Sequence, residues 1–338
     1  MANRYMDGFE DYQTADVNKY WTNASYMGIE TGGRTGSAFH TDTGGYVNRT
    51  FDAQTTWTIG CAYKVPTVIV ASSLIALYDD STNQVDLYLN ANGKISVRRN
   101  TTVLATSTNS INGNTYYYFE ITATIDNAGS YQVWVNDVSW IDDGAGGPKS
   151  GDTQNTANAS ANVVSLTVPA ASYLDDLYIN DATGGVDDGR WGDVTILSKF
   201  PNGNGATNNF TGQDADSTDN YLNVDEAATD FPDEATYNES GTIGHIDLYA
   251  MQDLTGYTDG THSVMGVQVC VVAKKTDTGV KTMCTEVRQD STNYDGSAFA
   301  PSATSYAGFH TQYGNAPDAT AWTVVKFNAL QVGAKIVS

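Results

Sequence analysis

Large apolar residues at every second position of two stretches are the feature that most restricts the fold of this chain. The apolar positions are Trp57, Ile59, Cys61, Tyr63 and Val65 in the first stretch and Tyr117, Phe119, Ile121, Ala123 and Ile125 in the second. Successive side chains of a β-strand point to opposite faces, so each stretch predicts a strand with one buried face. No stretch has the 3.6-residue period of a long amphipathic helix. The chain is therefore predicted to be all-β.

Further strands are predicted around these two, with turn residues between them. They cover residues 74–78, 85–90, 94–99, 131–135, 163–168 and 174–180. Asn92-Gly93 lies between two of these strands and is a strong hairpin signal, because both residue types adopt positive φ readily. The polar residues 142–162 are predicted to form a loop.

A segment rich in Gly and Asp at residues 181–189 suggests a junction between two domains. A chain of 338 residues is long enough for two domains, and we predict them over residues 1–190 and 191–338. The elements predicted in the second domain are strands at 193–198 and 243–251, a loop at 201–219, a hairpin of 264–274 with 280–289, and a short helix capped by Thr323 before a last strand.

The predicted hairpin of the second domain has a consequence for two of the three cysteines. If it turns at residues 276–278, Cys270 and Cys284 face each other directly across the two strands. Opposed Cβ atoms in a sheet lie about 4.5–5.5 Å apart, which is longer than the roughly 3.5–4.5 Å of a disulfide. We therefore expect two adjacent, unbonded thiols.

Charge and hydropathy exclude several classes of partner. The chain has 39 acidic and 17 basic residues, a net charge of −22, and such a balance repels nucleic-acid phosphates and anionic membranes. The longest apolar run, residues 65–77, contains polar residues and is too short to span a membrane. The N-terminus has no apolar signal-peptide core, so we expect synthesis in a cytoplasm.

Several short motifs follow one another in a characteristic order. They are the hairpin at 85–99, the aromatic strand at 116–125, Tyr-x-Val-x-Val-Asn at 131–136 and Tyr-Leu-Asp-Asp-Leu-Tyr-Ile-Asn-Asp at 173–181. Outside this region lie Asp-Gly-Phe-Glu at 7–10, Tyr-Trp at 20–21, Gly-Asp-Val at 192–194, Pro-Asn-Gly at 201–203, Leu-Tyr-x-x-Gln-Asp-Leu at 248–254 and Trp-Thr…Asn-Ala-Leu-x-Val-Gly at 322–333. This order resembles tailed-bacteriophage virion proteins with a concanavalin-A-like, laminin-G-like jelly roll.

The resemblance implies a concanavalin-A-like jelly roll over residues 1–190, a β-sandwich over 191–338, and a non-enzymatic structural role on the surface of a virion. The chain would be a capsid decoration protein or a tail-fibre or baseplate component. Its partners would be other virion proteins and further copies of itself, with a trimer as the first expectation. A lectin-like protein that binds host-surface glycan is the second hypothesis, and a polysaccharide depolymerase is the third.

Asp175 and Asp176 are the first carboxylates to consider for catalysis. Glycosidases need two carboxyl groups about 5–9.5 Å apart that flank one bond. Adjacent residues of a regular strand point to opposite faces, so these two are not expected to serve one cleft. We expect one to bind loop backbone and the other to be solvated. No pair of histidines has zinc-ligand spacing and no Cys-x-x-Cys occurs, so the chain is predicted to have no catalytic site and to need no cofactor.

Calcium is the metal for which the sequence offers candidate ligands. Asp175 is one, and the loop that contains Asp214, Asp216 and Asp219 supplies several hard oxygen ligands. This loop lacks the glycine and distant glutamate of an EF-hand. The acidic pairs at 79–80 and 187–188 are interpreted as hydrated surface turns.

Aromatic residues of the first domain are candidates for glycan stacking or for a subunit interface. They are Trp134, Trp140, Trp191, Tyr116 and Tyr118. Trp134 lies between Val133 and Val135, so it points outward if the two valines are in the core. Tryptophan is enriched at protein interfaces, and packing against a second sheet or a subunit is the alternative to glycan contact.

Overall fold

The structure is a computed structural model that describes residues 3–186, 188–226 and 235–338. The chain divides into two compact units, one of Met1–Glu10 with Trp21–Leu197 and one of Asp11–Tyr20 with Ser198–Ser338. The first unit thus ends at residue 197, whereas the sequence predicted a boundary after residue 190. A short N-terminal segment belongs to the second unit. The described elements are almost entirely antiparallel strands, which confirms the all-β class.

The first unit contains the strands β1 to β16. Their bounds are β1 Asn3–Asp7, β2 Asn23–Ser25, β3 Gly28–Thr31, β4 Ser37–Thr41, β5 Gly45–Gln54, β6 Thr56–Lys64, β7 Ser72–Asp79, β8 Thr82–Leu89, β9 Lys94–Arg99, β10 Thr102–Ser110, β11 Tyr116–Thr124, β12 Ser130–Val135, β13 Val138–Ile141, β14 Lys149–Ser150, β15 Ala161–Val168 and β16 Ser172–Asp181.

Two sheets of the first unit form a β-sandwich. Sheet 1 has the order β13-β12-β11-β6-β16-β4-β3, with β1 paired to β16 and β14 to β12, and sheet 2 has the order β10-β9-β8-β7-β15-β5-β2. The predicted hairpin at Asn92-Gly93 is confirmed, because β8 pairs with β9 and Gly93 has a φ of +78°. The alternating side chains of both sheets form the core, for example Trp57, Leu87 and Leu166.

Strand β6 departs from the prediction of one buried face. Its residues from Trp57 to Tyr63 are buried on both faces. On the outer face, Ala62, Tyr118 and Tyr178 pack against side chains of the segment at 191–196. Gly60 lies beneath the Tyr178 ring, which a Cβ at this position would overlap. The centre of sheet 1 is therefore covered on both sides.

The second unit contains the remaining strands and two short helices. Their bounds are α1 Val17–Tyr20, β17 Pro201–Asn208, β18 Thr211–Gly212, β19 Asn238–Glu239, β20 Ile246–Met251, β21 Val267–Ala273, β22 Met283–Gln289, β23 Thr292–Phe299, β24 Ala307–Tyr313, α2 Val324–Asn328 and β25 Gln331–Ile336, and 3-10 turns lie at Thr14–Asp16 and Asn220–Asn223. Sheet 3 has the order β17-β20-β25-β22-β23, and β21 pairs with β24. Val267 and Val269 of β21 pack against Val287 and Val332 of sheet 3, which makes a second sandwich.

The predicted C-terminal helix and strand are confirmed. Thr323 is the N-cap of α2, and its side chain accepts a hydrogen bond from the Lys326 backbone N–H at 3.1 Å. This is the usual way in which threonine satisfies a free N–H at the start of a helix. Strand β25 follows directly. No helix in the described ranges is long and apolar enough to cross a membrane.

The predicted hairpin of 264–274 with 280–289 is wrong. Strand β21 pairs with β24, where Cys270 faces His310, and β22 pairs with β23 and β25, where Cys284 faces Ala298 and Lys335. The turn between β21 and β22 connects the two layers of the sandwich. Both strands contribute valines to the core between the layers, so their apolar alternation did not identify the pairing partner. Neither cysteine forms a disulfide within the described residues.

Two shorter assignments in the second half are also wrong. Residues 193–198 form no strand, because their side chains pack across the outer face of sheet 1 and their backbone bonds to side chains there. The predicted loop at 201–219 begins with strand β17. Gly205 allows this strand close to β20, since a Cβ there would lie 2.6 Å from the Leu248 carbonyl oxygen.

Candidate functional site

Asp175 and Asp176 lie side by side at an irregularity of β16. The pairing of β16 with β6 shifts between Asp175 and Tyr178, and Asp176 has a φ of +50°. A residue in this left-handed conformation interrupts the alternation of a strand. Both side chains are fully buried, so the expectation that one would be solvated is wrong.

The two carboxylates hold neighbouring backbone in place. Asp175 accepts backbone N–H hydrogen bonds from Arg34 at 2.5 Å and Asp176 at 2.7 Å, and a longer one from Thr35. Asp176 accepts the Ile196 N–H at 2.7 Å, and its other oxygen lies 3.0 Å from Nε of Arg34. Burial raises the pKa of Asp175 to about 7 and that of Asp176 to about 6. The pair therefore binds two segments of the same unit, and its oxygens face protein donors.

Four of the five aromatic residues proposed for stacking lie on strands of sheet 1. The fifth, Trp191, stacks on Tyr178 with 4.8 Å between ring centres, and the five do not form one open surface. Trp134 points outward as predicted, and the guanidinium of Arg190 lies 5.0 Å from its ring centre. Tyr118 is buried and donates its hydroxyl to the Asp176 carbonyl oxygen. Tyr116 is half-buried and donates to the Gly32 carbonyl oxygen. Trp140 is half-buried on strand β13.

The acidic loop of the second unit brings its three carboxylates together. Oxygen atoms of Asp214, Asp216 and Asp219 lie within 4.8 Å of one another at the surface. The N–H of Asp216 donates to the Asp214 carboxylate, and the N–H of Thr218 donates to the Asp216 carboxylate. The turn therefore uses one oxygen of each of these two carboxylates. The calcium prediction for this loop remains a prediction. Asp187, in one of the acidic pairs, lies outside the described residues.

The outer face of sheet 2 carries a row of side chains, all but one of them polar, that we call the polar row. Its members face one another in register across β2, β5, β15, β7, β8 and β9, and they are Asn23, Asn48, Ser165, Ala76, Asp86 and Arg98. Neighbouring strands lie about 4.8 Å apart, so the row extends over roughly 24 Å. The strand neighbours of these residues, such as Val47, Leu166 and Leu87, have their side chains in the core. The side chains of the row therefore point away from the core.

Asp86 and Arg98 of the row form one rigid group with Tyr88, which lies two residues after Asp86 on β8. Nε and Nη2 of Arg98 bind the two oxygens of Asp86 at 3.0 and 2.5 Å, and the guanidinium lies 3.5 Å from the centre of the Tyr88 ring. Burial raises the pKa of Asp86, and Arg98 opposes this rise. A bidentate pair of this kind holds both side chains in one geometry. Nη1 of Arg98 takes no part in it.

Two members of the row have unused polar groups. Oδ1 of Asn48 is buried and has no hydrogen-bond partner among the described residues. Ser165 is 7% exposed, and no described residue bonds to its hydroxyl. Buried polar groups of proteins are nearly always bonded, so an unbonded one calls for a ligand or water. Both groups lie at the centre of the row, on neighbouring strands.

A groove of about 490 Å³ adjoins the polar row where β2, β5, β7 and β15 meet their loops. Its walls include Tyr46, which is 41% exposed, and Tyr26, which is 79% exposed. Gly45 permits the close approach of the ends of β2 and β5 here, because a Cβ would overlap the Ser25 carbonyl oxygen. Tyr46 precedes Asn48 by two residues and lies on the same face. The groove and the row therefore form one surface.

The sequence interpretation missed this surface. The hairpin at 85–99 held the available signal, because its alternation places Asp86 and Arg98 opposite each other and away from the core. Asn48 and Ser165 gave no such signal. Their strands are far apart in sequence and pair only in the folded sheet.

Comparisons with known proteins identify similar solved structures but no family. No protein-family model matches the sequence. No curated protein matches it either. Solved structures with a partly similar fold include an endo-β-1,4-glucuronan lyase from the fungus Trichoderma reesei, with 9% identity, a TM-score of 0.40 and coverage of 53% of this chain and 95% of that one.

Two further solved structures are similar over about half of the chain. One is domain 4 of AbnA, an extracellular arabinanase from Geobacillus stearothermophilus, in complex with arabinotriose, with 10% identity, a TM-score of 0.36 and coverage of 54% and 94%. The other is the carbohydrate-binding module CBM66 from Bacillus subtilis, with 9% identity, a TM-score of 0.32 and coverage of 48% and 94%.

Proposed function

We propose that this chain is a non-enzymatic glycan-binding protein whose ligand lies along the polar row and in the adjoining groove. The observation that carries the proposal is the buried Oδ1 of Asn48, which has no hydrogen-bond partner among the described residues, next to Ser165 on the paired strand. Ligand sites combine apolar surface with a few fixed polar groups that orient the ligand. Tyr26, Tyr46 and Tyr88 supply aromatic surface beside these groups.

The charges of the surface favour a neutral glycan. Asp86 and Arg98 are the charged members of the row, and they neutralise each other. The chain as a whole carries a net charge of −22, which repels a polyanion at low ionic strength. A chain of neutral sugars offers hydroxyl groups to Asn48, Ser165 and Nη1 of Arg98, and apolar ring faces to the tyrosines.

The arrangement of carboxylates supports binding without cleavage. Most glycoside hydrolases use two carboxyl groups that flank the bond to be cleaved. Asp86 is the carboxylate of the polar row, and both of its oxygens bind Arg98. Asp175 and Asp176 belong to sheet 1 and are buried. Neither arrangement provides a free acid and base facing a ligand.

The order of the sequence motifs supports a place for this protein on the surface of a tailed-phage particle. As a capsid decoration or a tail-fibre or baseplate component, it would pack against other virion proteins and further copies of itself. A glycan-binding face is compatible with that role, because adsorption to a host surface requires recognition of its polymers. Virion localisation is thus a second part of the proposal, and it rests on the resemblance alone.

The test is binding of the purified chain to a panel of immobilised polysaccharides. We expect retention on at least one neutral polymer, such as an arabinan, galactan, mannan or β-glucan. We expect none on alginate or polygalacturonate at low salt, and no shortening of any polymer by product analysis. Binding to none of the neutral polymers would contradict the proposed function. Release of oligosaccharides would contradict its non-enzymatic part.

A further inference from the structure

A second cluster of polar side chains lies in the other unit, on the face of sheet 3 that points away from the core. Cys284 and Glu286 alternate along β22, and Asp295 faces Glu286 from β23. The Cys284 sulfur and one oxygen of each carboxylate all lie within 4.8 Å of one another. Cys284 and Glu286 are buried, and Asp295 is exposed.

Glu286 is the member of this cluster that requires an explanation. It is fully buried, and neither of its carboxylate oxygens makes a hydrogen bond of good geometry with a described residue, although the side chains of Asn293 and Asp295 lie close to it. An ionised carboxylate without a partner is costly to bury. Lys335 binds both oxygens of Asp295, at 2.7 and 2.8 Å, and is therefore paired with Asp295 and not with Glu286. Glu286 therefore needs a proton or a cation.

We propose that Cys284, Glu286 and Asp295 bind one divalent transition-metal ion of the Zn²⁺ type. A thiolate with two carboxylates and a water is a ligand set that suits this ion, whereas Ca²⁺ and Mg²⁺ prefer oxygen alone. Zn²⁺ lies about 2.3 Å from sulfur and about 2.0–2.2 Å from oxygen. Ligand atoms within 4.8 Å of one another need only small side-chain rotations to reach those distances.

Lys335 is consistent with a bound cation because the charges then balance. One thiolate and two carboxylates carry three negative charges, which a divalent ion and the Lys335 ammonium neutralise together. Lys335 can keep one oxygen of Asp295 while the other turns to the ion. Carboxylate ligands of metals are commonly held by such an outer hydrogen bond. The cluster lies on alternate positions of two paired strands, a rigid support for a site.

The test is titration of the purified full chain with Co²⁺ and Zn²⁺. Co²⁺ bound to a thiolate gives a near-ultraviolet charge-transfer band, and we expect this band to saturate at one equivalent and to disappear when Zn²⁺ is added. Cys284→Ala should abolish the band, and Glu286→Gln should weaken Zn²⁺ binding by at least about tenfold. Cys270→Ala is the matched control, since that thiol lies outside the cluster, and it should keep the band.

Thermal unfolding gives a second readout that does not depend on colour. A ligand that binds only the folded state raises its stability, so Zn²⁺ at one fixed concentration should raise the Tm of the wild type and of Cys270→Ala by more than that of Glu286→Gln. Absence of the band with excess Co²⁺, or its persistence in Cys284→Ala, would overturn the proposal. A wild type that gains stability at low pH and none from metal would show that Glu286 holds a proton instead.

Discussion

Replacing Arg34 by alanine should lower the free energy of unfolding by about 3 kcal/mol at neutral to alkaline pH, the low end of the range for breaking a buried ion pair. Nε of Arg34 lies 3.0 Å from a carboxylate oxygen of Asp176, which is fully buried. The same guanidinium binds Asp193 and the Val194 carbonyl oxygen. Without it, the Asp176 charge is left in the protein interior and the segment at 191–196 loses one of the side chains that hold it.

The loss should depend on pH in a defined direction. Burial already raises the pKa of Asp176 to about 6 in the folded protein. A carboxyl group whose folded pKa is raised stabilises the fold below its unfolded pKa and loses that contribution as pH rises through the folded value. Removal of Arg34 raises this pKa further. The difference between wild type and Arg34→Ala should therefore be small near pH 5 and grow toward pH 8.

Urea unfolding at several pH values measures this difference. Arg99→Ala is the matched control, because Arg99 pairs with the half-exposed Asp152 at the surface, and exposed pairs contribute about 0–1 kcal/mol. A loss in Arg34→Ala no larger than that of Arg99→Ala at every pH would show that Arg34 does not hold the buried pair.

Substitution of Tyr46 or Asn48 by alanine should weaken glycan binding by about tenfold each, which corresponds to about 1.4 kcal/mol. Tyr46 offers an exposed ring at the groove, and Asn48 offers an oxygen that no protein group satisfies. Neither side chain is in the core, so the Tm should change little. Affinity for the retained neutral polysaccharide is the quantity to measure.

Two variants separate this surface from the rest of the protein. Tyr237→Ala removes a tyrosine of similar exposure from the second unit, and Trp140→Ala removes a residue that the sequence nominated on sheet 1. Both should bind glycan as the wild type does. If Trp140→Ala weakens binding and Tyr46→Ala leaves it unchanged, the glycan lies on sheet 1 instead.

Strands, turns and caps that depend only on neighbouring residues were predicted well from the sequence. The alternation at 57–65, the Asn92-Gly93 turn and the Thr323 cap each depend on residues within a few positions. The pairing of β21 was not predictable in this way. Its partner β24 begins more than thirty residues later, and the apolar pattern of β22 suited the core equally well.

The candidate sites were less accessible to sequence reasoning than the fold. Alternation placed Asp175 and Asp176 on opposite faces, but the positive φ of Asp176 interrupts the strand at that point. No residue type at this position indicates the interruption in the sequence. The polar row joins strands that are brought together only by long-range pairing. The cluster of Cys284, Glu286 and Asp295 likewise depends on the register of β22 with β23.

Hydroxyl-radical footprinting with and without a bound neutral oligosaccharide shows directly whether the glycan lies on sheet 2, since it reports which side chains the ligand covers. Tyr26 and Tyr46 are the exposed aromatic residues of the groove, and we expect saturating ligand to reduce their oxidation strongly. Trp134, Trp140 and Tyr237 should be oxidised equally in both samples. Protection of Trp134 and Trp140 with no change at Tyr26 and Tyr46 would contradict the assignment of the glycan site to sheet 2.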